Sequence, residues 1–248
     1  VKILGIDVGG SGIKGAPIDI QKGVLLEERY RIPTPNPSTP DKVAKVIKEI
    51  VDHFQWKAPI GCGFPSPIQR GIALKASNIS KEWIGTNVEK LITTYTGLPS
   101  KVLNDADAAG LGEVTFGAGE GNKGVVFVVT VGTGLGTALF TEGILVPNTE
   151  LGHIRLKPGI AEPYASDAAK KREDLSWKQW AKRFNEYLHE IEHLFYPDLI
   201  IIGGGTSKKF DKYSSYFDTQ TEIIPAKLLN EAGMIGAAYA ARAFVLAN

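Results

Sequence analysis

The chain has 248 residues, 43% of them hydrophobic and 22% charged, with a formal net charge of +1. That is enough for one large domain or two modest ones with real cores. The near-neutral balance argues against a general nucleic-acid binder and leaves room for a local basic groove. The single cysteine, Cys62, excludes an intrachain disulfide and a cysteine-based zinc site. No apolar run reaches membrane-spanning length, and the opening Val1-Lys2-Ile3-Leu4-Gly5-Ile6 lacks a signal-peptide layout. A cytoplasmic protein with neither membrane nor nucleic-acid partners is expected.

Val1 to Ile32 alternates apolar runs with glycine turns and predicts three antiparallel strands, with Asp19 to Gly23 as a hairpin connection. The stiff loop Pro33 to Pro40 follows, and Thr39 and Pro40 suit the N-cap and first position of a helix. That helix carries Val43, Val46, Ile47, Ile50, Val51 and Phe54 on one face. Ile60 to Phe64 and Lys101 to Leu103 read as short strands, the second delivering Asn104-Asp105 to a helix start. Val125 to Val131 is β-branched with little alternation, the mark of a buried strand, and Leu135 to Phe140 pairs with it as a hairpin. An amphipathic helix is expected from Ser176 to Phe195, a strand at Leu199 to Ile202, and a small-residue helix from Ala232 to Ala247. A strand, a glycine turn and a second strand open each half, so two related α/β lobes with a cleft between them are expected. The expected bounds are 1–112 and 113–231, with the helix at 232–248 returning to the first lobe.

Three glycine-rich turns end apolar runs: Asp7-Val8-Gly9-Gly10-Ser11-Gly12, Gly132-Thr133-Gly134-Leu135-Gly136 and Gly203-Gly204-Gly205. Glycine lets the backbone approach phosphate oxygens and lets N–H groups converge on an anion. Asp7, before the first turn, either holds Mg²⁺, directly or through water, or hydrogen-bonds its own loop. Lys14 either touches phosphate or is an ordinary strand lysine. The second turn is a phosphate cradle with Thr133 or a plain hairpin; it is neither a Walker P-loop nor a Rossmann fingerprint. Asn104-Asp105 caps the next helix, or serves a site in which Asp105 takes a hydroxyl proton and Asn104 holds a neighbouring hydroxyl. Glu150, His153 and Glu162 lie in a glycine- and proline-interrupted stretch suited to hydroxyl binding. His53, His189 and His193 read as surface or packing residues, and Trp177 and Trp180 as core; Trp83 is open.

The chain resembles the ROK family of sugar kinases, within the actin/hexokinase-like ATPase superfamily, and most of all its bacterial polyphosphate/ATP glucokinases, glucomannokinase included. The likeness covers nearly the whole chain. It is carried by Gly5-Ile6-Asp7-Val8-Gly9-Gly10-Ser11-Gly12-Ile13-Lys14-Gly15, Ser80-Lys81-Glu82-Trp83-Ile84-Gly85-Thr86-Asn87 and Leu103-Asn104-Asp105-Ala106-Asp107-Ala108-Ala109-Gly110. Pro147-Asn148-Thr149-Glu150-Leu151-Gly152-His153 and Pro197-Asp198-Leu199 complete it.

The resemblance implies ribonuclease H-like lobes around a central cleft, and Asp105 as the base acting on a sugar 6-hydroxyl. It implies sugar contacts from Asn104, Glu150, His153 and Glu162, joined by Asn78 or Ser77. The first two turns would be phosphate loops and Gly203 to Gly205 a turn near adenosine. Mg²⁺, a polyphosphate or ATP donor, glucose or mannose as acceptor, and a homodimer follow on the same ground. Many ROK kinases bind zinc through cysteines after the Gly-His pair; Ile154 to Ser166 has none, so no zinc is expected. ROK repressors carry an N-terminal helix-turn-helix, which is not expected here. The expected activity is a polyphosphate/ATP glucokinase, with Lys170-Lys171-Arg172 and Lys208-Lys209 as candidate cations along a long donor. Its rivals are an ATP-only hexokinase, a silent sugar-binding module and an actin-like filament protein.

Overall fold

A computed structural model describes every residue except Asn78, Pro158, Ala247 and Asn248. In chain order it forms β1 (Lys2–Val8), β2 (Ile13–Asp19), β3 (Val24–Leu25), β4 (Tyr30–Ile32), α1 (Pro40–His53) and β5 (Ile60–Phe64). Next come β6 (Ile68–Gln69), β7 (Ile72–Ala73), α2 (Val88–Thr96), β8 (Ser100–Asn104) and α3 (Asp105–Phe116). The hairpin β9 (Val125–Val131) and β10 (Leu135–Thr141) leads to β11 (Ile144–Val146), β12 (Arg155–Leu156), β13 (Gly159–Ile160), α4 (Ala161–Ala165) and α5 (Asp167–Arg172). The chain ends with α6 (Trp177–Phe195), β14 (Leu199–Gly203), β15 (Glu222–Pro225), α7 (Ala232–Ala240) and α8 (Ala243–Leu246). It divides into two compact units, Val1–Gly112 with Glu231–Asn248, and Glu113–Asn230.

The first unit is built on a sheet of order β3-β2-β1-β5-β8, with β4 also on β2. β1 and β2 are antiparallel, while β1, β5 and β8 run parallel. Alternation sorts the faces. Leu4, Ile6, Ile60, Cys62 and Phe64 join one cluster with Val43, Ile47 and Ile50 of α1 and Val88 and Ile92 of α2. The opposite face carries Gly5, Gly61 and Gly63. Side chains at Gly5 and Gly61 would run into the α7 backbone at Met234 and Ala237, and one at Gly63 would press on Ala108 of α3. Helix α7 is apolar nearly all round, which suits a buried helix, and the glycines let its backbone lie on the sheet.

Two expectations need correction here. The third strand is two short strands, β3 and β4, pairing with opposite ends of β2. The exposed run Leu26 to Arg29 between them, with Glu27, Glu28 and Arg29, has little to bury against the sheet. The C-terminal helix is also two pieces. The Arg242 guanidinium folds onto the Tyr239 ring, 4.1 Å from its centroid, and donates to the Tyr239 carbonyl at 3.1 Å. That carbonyl is the acceptor a continuing helix would offer residue 243, and α8 starts there afresh.

The second unit repeats the plan: a hairpin, β9 and β10, with β14 parallel to β9 in a sheet of order β11-β10-β9-β14-β15. Phe127, Val129, Ile200 and Ile202 pack with the apolar stripe of α6: Trp180, Phe184, Leu188 and Ile191. Ser176 and Gln179 form a reciprocal capping box at its start. Glu113, 1% exposed, accepts from the backbone N–H groups of Ala118 (3.0 Å), Lys227 (3.0 Å) and Leu228 (2.7 Å). Three charge-assisted bonds are what make burying that carboxylate tolerable.

Candidate active site

In the first unit the chemistry gathers at the carboxyl ends of parallel strands, where open α/β sheets bind ligands. In register, Asp7 of β1 pairs with Gly63 of β5, and Gly63 with Leu103 of β8. Asp7 and the Leu103-Asn104-Asp105 exit therefore top one sheet edge, two strand spacings or about 10 Å apart.

Asp7 points to the α7 face, its carboxylate beside Gly233 in the first turn of that helix. The positive end of the helix favours an anion there. Lys14, directly opposite on β2, donates to Asp7 Oδ2 at 2.9 Å. Next, Gly9 N–H closes the first turn on the Gly12 carbonyl at 3.0 Å. Gly10 and Ser11 are exposed at its tip. Two residues that the sequence reading missed brace this turn. Thr34 donates to the Gly9 carbonyl at 2.5 Å, and Arg31 to the Ser11 carbonyl at 2.7 Å. Arg31 lies so close over Gly12 that any side chain at that position would displace it. Side chains that hold carbonyls leave no periodic or motif signal.

Asn104 is the cap of α3: its Oδ1 accepts from Ala106 N–H (2.8 Å) and Asp107 N–H (3.2 Å). With that oxygen committed, the amide NH₂ is the part of the side chain left to donate. Asp105 opens α3 with an exposed side chain, and its Oδ1 also accepts from Ala106 N–H at 2.9 Å. The cap and the carboxylate are thus separate jobs on neighbouring residues. Cys62, buried in β5, is no nucleophile: burial pushes its thiol pKa far up, and the Asp7 charge adds to this. Trp83 belongs to the core, packed on Phe64 with its indole N–H on the Ser38 carbonyl at 2.8 Å. Asn78 lies outside the described residues.

In the second unit the segments that carry three candidate residues meet at Leu135, where β10 begins. Glu162 Oε2 accepts from Leu135 N–H at 3.0 Å and lies against Gly134, leaving no room there for a Cβ. On the other side, Gly152 packs against the Leu135 carbonyl just as closely. Gly152 belongs to the 3-10 turn Leu151–His153, whose first N–H is held by Thr137 Oγ1 at 3.0 Å. Glu150, before that turn, takes a left-handed backbone at φ 44°, uncommon for a residue with a side chain. It sets Glu150 Oε2 3.5 Å from His153 Nε2, with both side chains partly open to solvent.

Gly132 N–H closes the second turn on the Gly134 carbonyl at 3.0 Å, with Thr133 exposed and Gly136 two residues on in β10. The third turn abuts it. Gly204, at φ 74°, packs on the backbone of Val131, where even a methyl group would not fit. Gly203 ends β14, Gly205 stands in open space, and Ser207 Oγ closes the turn on the Gly204 carbonyl at 2.8 Å. The other histidines stay outside these groups: His53 stacks on Tyr30, and His189 meets Asp218 at 2.8 Å.

A polyphosphate glucokinase of Mycobacterium tuberculosis (strain ATCC 25177 / H37Ra) is 44% identical over 237 residues, 95% of this chain and 89% of that protein. The crystal structure of an inorganic polyphosphate/ATP-glucomannokinase from Arthrobacter sp. strain KM superposes with a TM-score of 0.91 at 45% identity, covering 96% of this chain and 97% of that one. A ROK family glucokinase from Streptomyces griseus, solved with glucose and AMPPNP, matches at a TM-score of 0.82 and 26% identity, over 98% and 99% of the two chains. These neighbours share the two-lobed actin-like ATPase fold. The ROK family pattern itself matches residues 3–169, well over half of the sequence, and the chain belongs to the ROK family.

Proposed function

We propose that this chain is a glucokinase that transfers a phosphoryl group from inorganic polyphosphate or ATP to the 6-hydroxyl of glucose. The observation that carries this reading is the exposed Asp105 carboxylate, fixed at the head of α3 on the sheet edge that also bears Asp7 and the Gly9–Gly12 turn. Identity of 44% to a polyphosphate glucokinase supports the choice of donor and sugar.

Asp105 takes the proton of the sugar hydroxyl as its oxygen bonds to the terminal phosphorus. The bond from that phosphorus to the rest of the donor breaks, leaving ADP or a shortened polyphosphate. The Asn104 amide NH₂, the Glu150–His153 pair and Glu162 hold other hydroxyls of the sugar. Backbone N–H groups of the glycine turns, with Thr133, receive donor oxygens. Mg²⁺ typically takes one or two carboxylates and keeps waters and substrate phosphates. Asp7 fits that need: it is half-buried beside the first turn, with Lys14 on Oδ2. When bound, the ion neutralises charge on the donor phosphates. Mannose is the second acceptor in this reading, the state a cytoplasmic homodimer. Among the described residues no helix is long and apolar enough to cross a membrane.

Hexose 6-phosphate formation, measured with Mg²⁺ and with glucose or mannose, tests the reading when ATP and nucleotide-free polyphosphate are supplied separately. Turnover of glucose with polyphosphate is expected. Turnover with ATP alone would remove the polyphosphate claim and keep the kinase.

A further inference from the structure

Lys170 and Lys209 come from different elements of the second unit and meet over one indole. Lys170 Nζ stands 4.5 Å from the Trp177 ring centroid, and Lys209 Nζ 5.9 Å from the same centroid. The two ammonium groups are therefore within about 10 Å of each other. Like charges repel, a cost that the ring's attraction for each ammonium offsets, and an anion passing between them would gain from both. Among the described residues neither makes an ion pair, whereas the neighbouring cations do. Lys171 is held by Asp167 at 2.6 Å, and Arg172 by Glu173 at 2.7 Å and the Pro163 carbonyl at 2.8 Å. A paired cation must give up a partner to bind an anion; Lys170 and Lys209 need not.

The pair is also tied to both glycine turns of the unit. Ala168 N–H, two residues before Lys170, donates to the Gly132 carbonyl at 3.2 Å, which docks α5 on the second turn. Ser207 anchors the start of the other lysine's segment on Gly204 of the third turn, at 2.8 Å. The segment Ser207–Lys212 then breaks from helical geometry at Lys209 itself (φ −121°, ψ 22°). Trp177 is held in place by Tyr213, stacked at 5.3 Å, and by Trp180, edge-on at 5.7 Å. The indole thus steadies two long side chains that would otherwise lose freedom on binding.

We infer that Lys170 and Lys209, steadied by Trp177, form a rail that binds the distal phosphates of a polyphosphate chain running out from the glycine turns. This rests on the reading that polyphosphate is a donor. The rail separates long donors from short ones, since only a chain reaching past the turns gains both ammonium groups.

The test compares the wild-type protein with Lys170→Gln, Lys209→Gln and the double variant. KM is measured for ATP, tripolyphosphate and long-chain polyphosphate, alongside direct calorimetric binding of long polyphosphate. In the double variant the ratio of long-chain KM to ATP KM is expected to rise about tenfold, the scale of two exposed charge contacts. Each single variant should give part of that rise, and Lys171→Gln should leave the ratio where it was. An unchanged ratio with polyphosphate turnover intact would overturn the rail and leave the donor reading standing. Binding that depends on both lysines, without polyphosphate turnover, would overturn the donor reading and keep the rail. A wild-type protein that neither binds nor uses polyphosphate would overturn both.

Discussion

Replacing Asp105 by asparagine separates its chemical role from its structural one. The amide keeps the shape of the side chain and an oxygen for Ala106 N–H, which Asp105 Oδ1 now accepts at 2.9 Å. The helix start does not depend on that bond, because Asn104 Oδ1 accepts from Ala106 and Asp107 N–H at 2.8 and 3.2 Å. The helix-dipole part of the structural loss, one negative charge in the first turn, is on the order of 0.3–1 kcal/mol. For a chain of this size that lowers Tm by roughly 1–4 °C. What it loses chemically is the proton acceptor, which contributes about 10²–10⁴ in rate, or roughly 3–5 kcal/mol of barrier. A coupled assay for glucose 6-phosphate should therefore show kcat down by at least about a hundredfold. Calorimetry should show glucose affinity within a few-fold of wild type. A variant that keeps kcat within tenfold of wild type would refute Asp105 as the base, and one that loses glucose binding as well would show it holding the substrate instead.

Gly236→Ala should destabilise the first unit, because its Cβ would fall on the Ala108 carbonyl and the Gly112 nitrogen of α3, both backbone. A loss of roughly 1–3 kcal/mol is expected in urea unfolding, and an unchanged midpoint would show that the helices can separate freely. Burial pushes the Glu192 pKa up, but the Thr221 hydroxyl and N–H, at 2.8 and 2.6 Å, together with the Gln220 N–H and the His189 charge, more than offset this and hold it below the ordinary glutamate value. Its stabilising effect is therefore complete above that ordinary value and fades as pH falls through the lower, folded one. Glu192→Gln should lower Tm at pH 7 and flatten its fall between about pH 5 and 3; parallel wild-type and variant curves would refute the assignment.

Elements whose pattern is local and strong were legible in the sequence. The β-branched run of β9, the stripe of α6 and the helical period of α1 needed no tertiary information. Helix α2 was missed, although Asn87 caps it and Gly97 ends it in a left-handed turn, because its nine residues give little periodicity. The break before α8 depends on Arg242 reaching back to Tyr239, a contact invisible in composition. The candidate site residues could be named by type and position, but several of their partners could not. Lys14 belongs to Asp7 because a seven-residue hairpin register sets them opposite. Arg31 and Thr34 act on carbonyls 20 and 25 residues away, and Glu162 on an N–H 27 residues away. Such bonds are fixed by the fold, and a sequence shows only that their donors and acceptors exist. Of the two basic runs, only the ring and the ion pairs showed which lysines stay uncommitted.

The most direct test of the account is phosphorus NMR of the products formed from glucose, Mg²⁺ and nucleotide-free polyphosphate. The account predicts a sugar phosphate on the 6-hydroxyl, appearing as terminal phosphates are consumed, and its near absence with Asp105→Asn. A mixture that yields no sugar phosphate from either polyphosphate or ATP, or phosphate on another hydroxyl, would contradict it.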